Sequence, residues 1–184
     1  MDIQIIPIVN EYLSKNGVLI SDGTDVEAFV YKMAKHFDAL LYNIVSVVAL
    51  IASIEEQVKI QPKHLVAAQA YIAHKCIGQL ASRKIVGGSH KISLKELNTI
   101  DPPQIDEHTP SGDYKVCSEM DLKEFVYQVL KHHKMSIGKG AMKGMLKILH
   151  EHLECLLNDL KKYEPITMIK LDKIMSMRRY SVFH

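Results

Sequence analysis

Apolar residues recur along the chain at steps of three and four, the spacing that lines one face of an α-helix. Ile5, Ile6, Ile8, Val9, Tyr12 and Leu13 form the first such stripe, and Asn16-Gly17 reads as its stop. A brief Val18-Leu19-Ile20 run follows, too short to stand as a sheet alone. Thr24-Asp25-Val26-Glu27 has capping-box spacing, which predicts a helix opening with Thr24 as its cap. Beyond it the apolar positions are Val26, Phe29, Val30, Met33, Phe37, Leu40, Leu41, Ile44, Val48 and Ile51. No proline or glycine interrupts the chain between Thr24 and Gln61. One helix of about 31 residues, about 46 Å long at 1.5 Å per residue, is predicted. Val58-Lys59-Ile60 is β-prone, and Pro62 suits the first turn of a third helix running to Gly78.

The same layout recurs further on. Ser118-Glu119-Met120-Asp121 opens a helix through Leu122, Phe125, Val126, Val129 and Leu130, followed by a loop from Met135 to Gly140. A long helix then carries Met142, Met145, Leu146, Leu149, Leu153, Leu156, Leu157 and Leu160. Pro165-Ile166-Thr167 forms a second loop, with Thr167 a good cap for a last helix from Met168 to Met177. Between the two sets lie Gly87-Gly88, Asp101-Pro102-Pro103 and Thr109-Pro110-Ser111-Gly112, residues that break regular structure. The expected organisation is all-α: a first unit over residues 1–80, a linker over 81–117 and a second unit over 118–184. Ser93-Leu94-Lys95-Glu96 could start one short helix inside the linker. Short helix, long helix, short helix, twice over, suggests a duplication.

Composition narrows the class. The 184 residues are 47% apolar, enough for a core, and 24% charged, which excludes disorder as the main state. The formal charge of +2 is too small to announce a nucleic-acid binder by itself. Its distribution is uneven, −2 over residues 1–80, zero over 81–117 and +4 over 118–184. Three scattered cysteines, Cys76, Cys117 and Cys155, make no disulfide framework and fit a reducing, intracellular compartment. No secretory signal is visible at the N-terminus. The most apolar stretch, Ala39 to Ile54, is shorter than the roughly 20 residues of a membrane span, so it reads as core and no membrane partner is expected.

Two strings carry a resemblance to a known family. "VKIQPKHLVAAQAYI", Val58 to Ile72, resembles the second loop and third helix of histone two-A. "EFVYQVLKHH" with "IGKGAMKGM", Glu124 to Met145, resembles the first helix, loop and second-helix start of histone two-B. The whole is similar to the histone doublets of giant DNA viruses, in which two histone folds are fused in one chain. That resemblance implies two tandem histone folds clasped in an intramolecular handshake, the tether holding them at an effective concentration on the order of millimolar. It implies binding to double-stranded DNA through the phosphate backbone without sequence preference, and packaging of that DNA in a nucleosome-like assembly with other histone-fold proteins. The nucleus, the virion or a viral factory is the implied location. Lys59 falls where histone two-A has its second-loop arginine, and Lys63 follows Pro62; Lys134, Lys139 and Lys143 flank the histone-two-B-like loop. These five lysines are the expected phosphate contacts.

Other positions depart from the pattern. Tyr163, Glu164 and Pro165 stand where histone two-B has basic and hydroxyl residues, Asp22 lies in the first loop, and no basic tail is seen at either end. Binding is therefore expected to be modest and salt-sensitive. The alternative is a histone-fold interaction subunit of a transcription-factor-type complex that touches DNA little. The ten histidines include His74 near Cys76, His132-His133, and His150 with His152, but none has paired zinc-ligand spacing on both sides and helix residues two apart point about 200° apart, so no metal or other cofactor is expected. Gly138-Lys139-Gly140 is not a nucleotide-binding loop, Gly87-Gly88-Ser89-His90 has no nucleophile elbow, and no catalytic carboxylate pair is recognisable. An enzyme is not expected.

Overall fold

A computed structural model describes residues 2–73 and 117–177, with the side chains of the first helix described from Ile5 onward. The described residues form six helices and two very short strands. In chain order they are α1 (Asp2–Lys15), α2 (Val26–Ile54), β1 (Lys59–Ile60), α3 (Pro62–Ala73), α4 (Glu119–His132), β2 (Ser136–Ile137), α5 (Lys139–Lys162) and α6 (Met168–Met175). The chain is thus mostly helical. The third helix is described only to Ala73, and the possible helix at Ser93 lies outside the described residues, as do His74, Cys76 and the Gly87-Gly88 pair.

Local chemistry sets most of the helix ends. Gly17 adopts a φ of +59°, the left-handed conformation that ends α1 at little steric cost to glycine. The start of α2 differs from the sequence expectation by one residue. Asp25, not Thr24, is the cap, and its carboxylate accepts from the Ala28 N–H at 3.2 Å. A carboxylate one residue nearer the helix adds charge attraction to the positive dipole end, so it displaces the hydroxyl of Thr24. Thr167 caps α6 as expected, accepting from the Lys170 N–H at 3.2 Å. The last helix ends at Met175, two residues before the expected end.

The long helices α2 and α5 run in opposite senses between the same two ends of the molecule. At one end β1 and β2 pair in parallel, Lys59 opposite Ser136 and Ile60 opposite Ile137. At the other end Ile20 bridges Ile166, also in parallel, with Ser21 N–H donating to the Ile166 carbonyl and Ile166 N–H to the Leu19 carbonyl, both at 2.9 Å. Each end therefore joins a loop from the first set of helices to a loop from the second. The 29 residues of α2 span about 44 Å and the 24 of α5 about 36 Å, which sets the scale of the separation.

Both halves contribute to one hydrophobic core. Twelve residues of α2 are buried, among them Phe37, Leu41, Ile44 and Val48, together with Leu149, Leu153, Leu156 and Leu160 of α5. Tyr12 packs edge-on against Phe37 with ring centroids 4.9 Å apart, and its hydroxyl donates to the Leu153 carbonyl at 2.8 Å. That buried bond crosses from the first half to the second. Gly144 lets α3 approach α5 closely, because a β-carbon there would lie 2.6 Å from the Leu65 Cδ1. By length and composition α2 could cross a membrane, since its helix extends well beyond the Ala39–Ile54 run; here half of its most apolar window is buried within the protein.

Candidate nucleic-acid interface

The β1–β2 end gathers most of the expected lysines. Lys59 lies on β1 with its exposed side chain passing over Gly138, where a β-carbon would lie 3.6 Å from the Lys59 Cε. Lys134, exposed and at a φ of +56°, turns the chain from α4 into β2. Lys139 is the first residue of α5, and Lys143 lies one turn further along; both are exposed. Strand pairing thus brings residues some 80 positions apart in sequence to one small surface.

The amino end of α5 has no side-chain cap, because Gly138 occupies that position. The first amide N–H groups of a helix have no partner within it and carry the positive end of its dipole. Lysines beside such an end repel it. An uncapped amino terminus surrounded by Lys59, Lys134, Lys139 and Lys143 is favourable when an anion lies between them, and a phosphate diester fits that requirement.

Lys63 is placed differently. It stands at the start of α3, but its ammonium pairs with the Glu55 carboxylate at 2.6 Å. The same carboxylate oxygen takes a hydrogen bond from His64 Nε2 at 2.7 Å, while His64 Nδ1 accepts from the Gln61 N–H at 3.0 Å. That second bond fixes the tautomer, and His64 is fully buried. Hydrogen bonds from Lys63 and then His64 hold the Glu55 carboxyl below its ordinary value. Lys63 is therefore part of a local ion-pair cluster, whereas Lys59, Lys134, Lys139 and Lys143 have no carboxylate partner among the described residues. An acidic residue, Glu56, is exposed at this end as well, in a left-handed turn at φ +57°.

The Ile20–Ile166 end has a different character. Glu164 Oε1 accepts from the Leu19 N–H at 3.1 Å. The Lys170 ammonium donates to the carbonyls of Tyr163 at 3.1 Å and Pro165 at 2.8 Å, so it is held against its own loop. Lys32 pairs with Asp172. Apolar side chains stand out here: Leu19 is 61% exposed and Ile169 80%. A cleft of about 730 Å³ opens beside the start of α2, lined by Ile6, Asn10, Val26, Val30 and Tyr31 among others, and it is remote from the lysine cluster.

Two further arrangements were not foreseen from sequence. Ser46 of α2 and His133 at the end of α4 meet at 2.9 Å, beside the Tyr42 ring. Desolvation, with His132 adding to it, holds His133 below the ordinary histidine value. Glu11 of α1 accepts from the Ser118 N–H at 3.1 Å and so occupies the amino end of α4. Neither pair has a local sequence signal, since the partners lie 87 and 107 residues apart. Among the described residues no group of three or more histidine, cysteine or acidic side chains is placed to hold a metal ion. Cys117 is buried and its thiol is pushed up to about 12 by desolvation, while Cys155 is exposed. No protein-family model, curated protein or solved structure matches the chain.

Proposed function

We propose that this chain is a histone-like protein, two tandem histone folds in a handshake, that binds the phosphate backbone of double-stranded DNA and contributes to compacting it in a nucleosome-like assembly with other histone-fold proteins. The observation that carries the reading is the β1–β2 end, where parallel pairing sets Lys59, Lys134, Lys139 and Lys143 around the uncapped start of α5. The opposed long helices and the two cross-paired loops are the geometry that a head-to-tail clasp requires. The resemblance of Val58 to Ile72 and of Glu124 to Met145 to two core histones points the same way, and from it comes the inference of a viral DNA substrate.

A gel-shift titration with random-sequence duplex tests this. Lys59→Glu with Lys139→Glu reverses two charges in the cluster without touching the core, and is expected to weaken binding at least tenfold at 50 mM salt. Unchanged affinity in that variant, with its helical signal intact, would remove the β1–β2 lysines as the contact, and failure of the unaltered protein to shift the duplex would remove DNA from the reading. A second reading, a histone-fold interaction subunit that touches DNA little, is favoured by the exposed Leu19 and Ile169 and by the cleft at the start of α2, where Ile6, Val26, Val30 and Tyr31 stand beside Asp25 and Glu27. Its mark would be stoichiometric capture of another histone-fold protein by a chain that leaves duplex unbound.

A further inference from the structure

We infer that the chain grips a duplex at one end only, the β1–β2 end, and that its opposite end is closed to phosphate by the protein's own groups. The inference rests on the DNA-binding reading and adds its footprint. The two loop pairs are separated by roughly the length of a long helix, about 36–44 Å, close to the 34–36 Å of one duplex turn. A duplex lying along the protein could therefore meet both ends with the same backbone, if both offered donors.

They do not offer the same donors. At the β1–β2 end the start of α5 is uncapped and four exposed lysines surround it. At the Ile20–Ile166 end both helix starts are capped from within, α2 by Asp25 and α6 by Thr167. The Leu19 N–H is held by Glu164, an anion already seated where a phosphate oxygen would accept. Lys170 is spent on two carbonyls and Lys32 on Asp172. At the amino end of α4 Ser118 makes no side-chain cap, but its own N–H is taken by Glu11, which places a carboxylate there. Exposed Lys15, Lys161 and Lys162 remain near the far end, but they occupy the last turns of α1 and α5, where the helix carbonyls favour a cation and repel a phosphate. A bound duplex would also meet the Glu164 and Asp22 carboxylates there.

Fluorescence anisotropy with a labelled random duplex, from 50 to 200 mM salt, reads the footprint. Neutralising three or four phosphates gives a salt slope of roughly −3, a loss of about 60-fold over that range; engaging both ends would roughly double the slope and lose on the order of thousands-fold. Lys59→Glu with Lys139→Glu should weaken binding at least tenfold, while Lys161→Glu with Lys162→Glu should change it less than twofold. Glu164→Lys should steepen the slope by about 1, by replacing the internal anion with a cation. A loss at Lys161 and Lys162 equal to that at Lys59 and Lys139, or the steeper slope in the unaltered protein, overturns the one-ended grip while leaving DNA binding intact. Failure of the unaltered protein to bind at 50 mM salt would sink the functional reading and this inference together. Thermal melts of each variant keep a folding defect from passing as a binding one.

Discussion

Replacing Tyr12 with phenylalanine removes one oxygen atom from the seam between the two halves. The hydroxyl is fully buried and donates to the Leu153 carbonyl at 2.8 Å. Leu153 lies inside α5, so its carbonyl keeps the helical acceptor role and is not orphaned by the change. The ring volume is conserved, and the edge-on contact with Phe37 at 4.9 Å stays in place. What is lost is one buried hydrogen bond without a cavity, worth about 1 kcal/mol. Tyr12→Ala removes the ring as well and should cost about 4 kcal/mol. In urea titrations followed by far-UV circular dichroism, Tyr12→Phe should lower the midpoint with an unchanged slope, and in thermal scans it should lower Tm by about 2–4 °C. The transition should be single for both variants, because the tyrosine ties α1 to α5 within a shared core. Two separate transitions, or a Tyr12→Phe variant within 0.3 kcal/mol of the parent, would refute the clasp as the source of stability.

Further expectations concern caps, a turn and acid. Asp25→Ala should destabilise by about 1 kcal/mol and Thr24→Ala by much less, measured by the same titrations, because Asp25 makes the capping bond. Gly17→Ala should cost about 1 kcal/mol from its left-handed backbone alone, since nothing lies within 4 Å of the added methyl. Desolvation holds His152 and His133 below the ordinary histidine value, so the folded protein takes up their protons less readily than the unfolded chain does. Their contribution to stability is full above about pH 6.5 and falls as pH drops towards their lower folded values. The depressed Glu55 carboxyl adds a second loss, below about pH 4.5. A midpoint that rises between pH 7 and pH 5.5 would contradict the histidine assignment.

The helices were legible because a periodicity of three and four survives any tertiary detail. The stripes from Ile5 to Leu13 and from Met142 to Leu160 became the buried faces of α1 and α5. Pro62 and Thr167 marked helix starts through their own covalent chemistry, which acts within a few residues. Thr24 misled because the capping-box pattern is satisfied equally well by spacing whether or not a better acceptor stands next to it; Asp25 did. Lys63 could be seen as a charge near Pro62, but its pairing depends on how the turn after α2 folds Glu55 back onto α3. The acceptor roles of Glu11 and Glu164 were invisible for a related reason. Each acts on an amide more than 100 residues away, and no local window contains both partners. The general grouping of lysines around the second loop could be guessed, whereas the closing of the opposite end could only be read from the folded chain.

The cross-pairing of loops also bears on how the chain is made. Ribosomes add roughly 5–20 residues per second, so α2 emerges on the order of 5–20 s before the last turn of α5, 108 residues later. During that interval the apolar side of a 29-residue helix awaits a cover that has not yet been synthesised. The nascent first half is thus the aggregation-prone species of this protein, and translation speed through the intervening residues sets how long a holding chaperone must guard it.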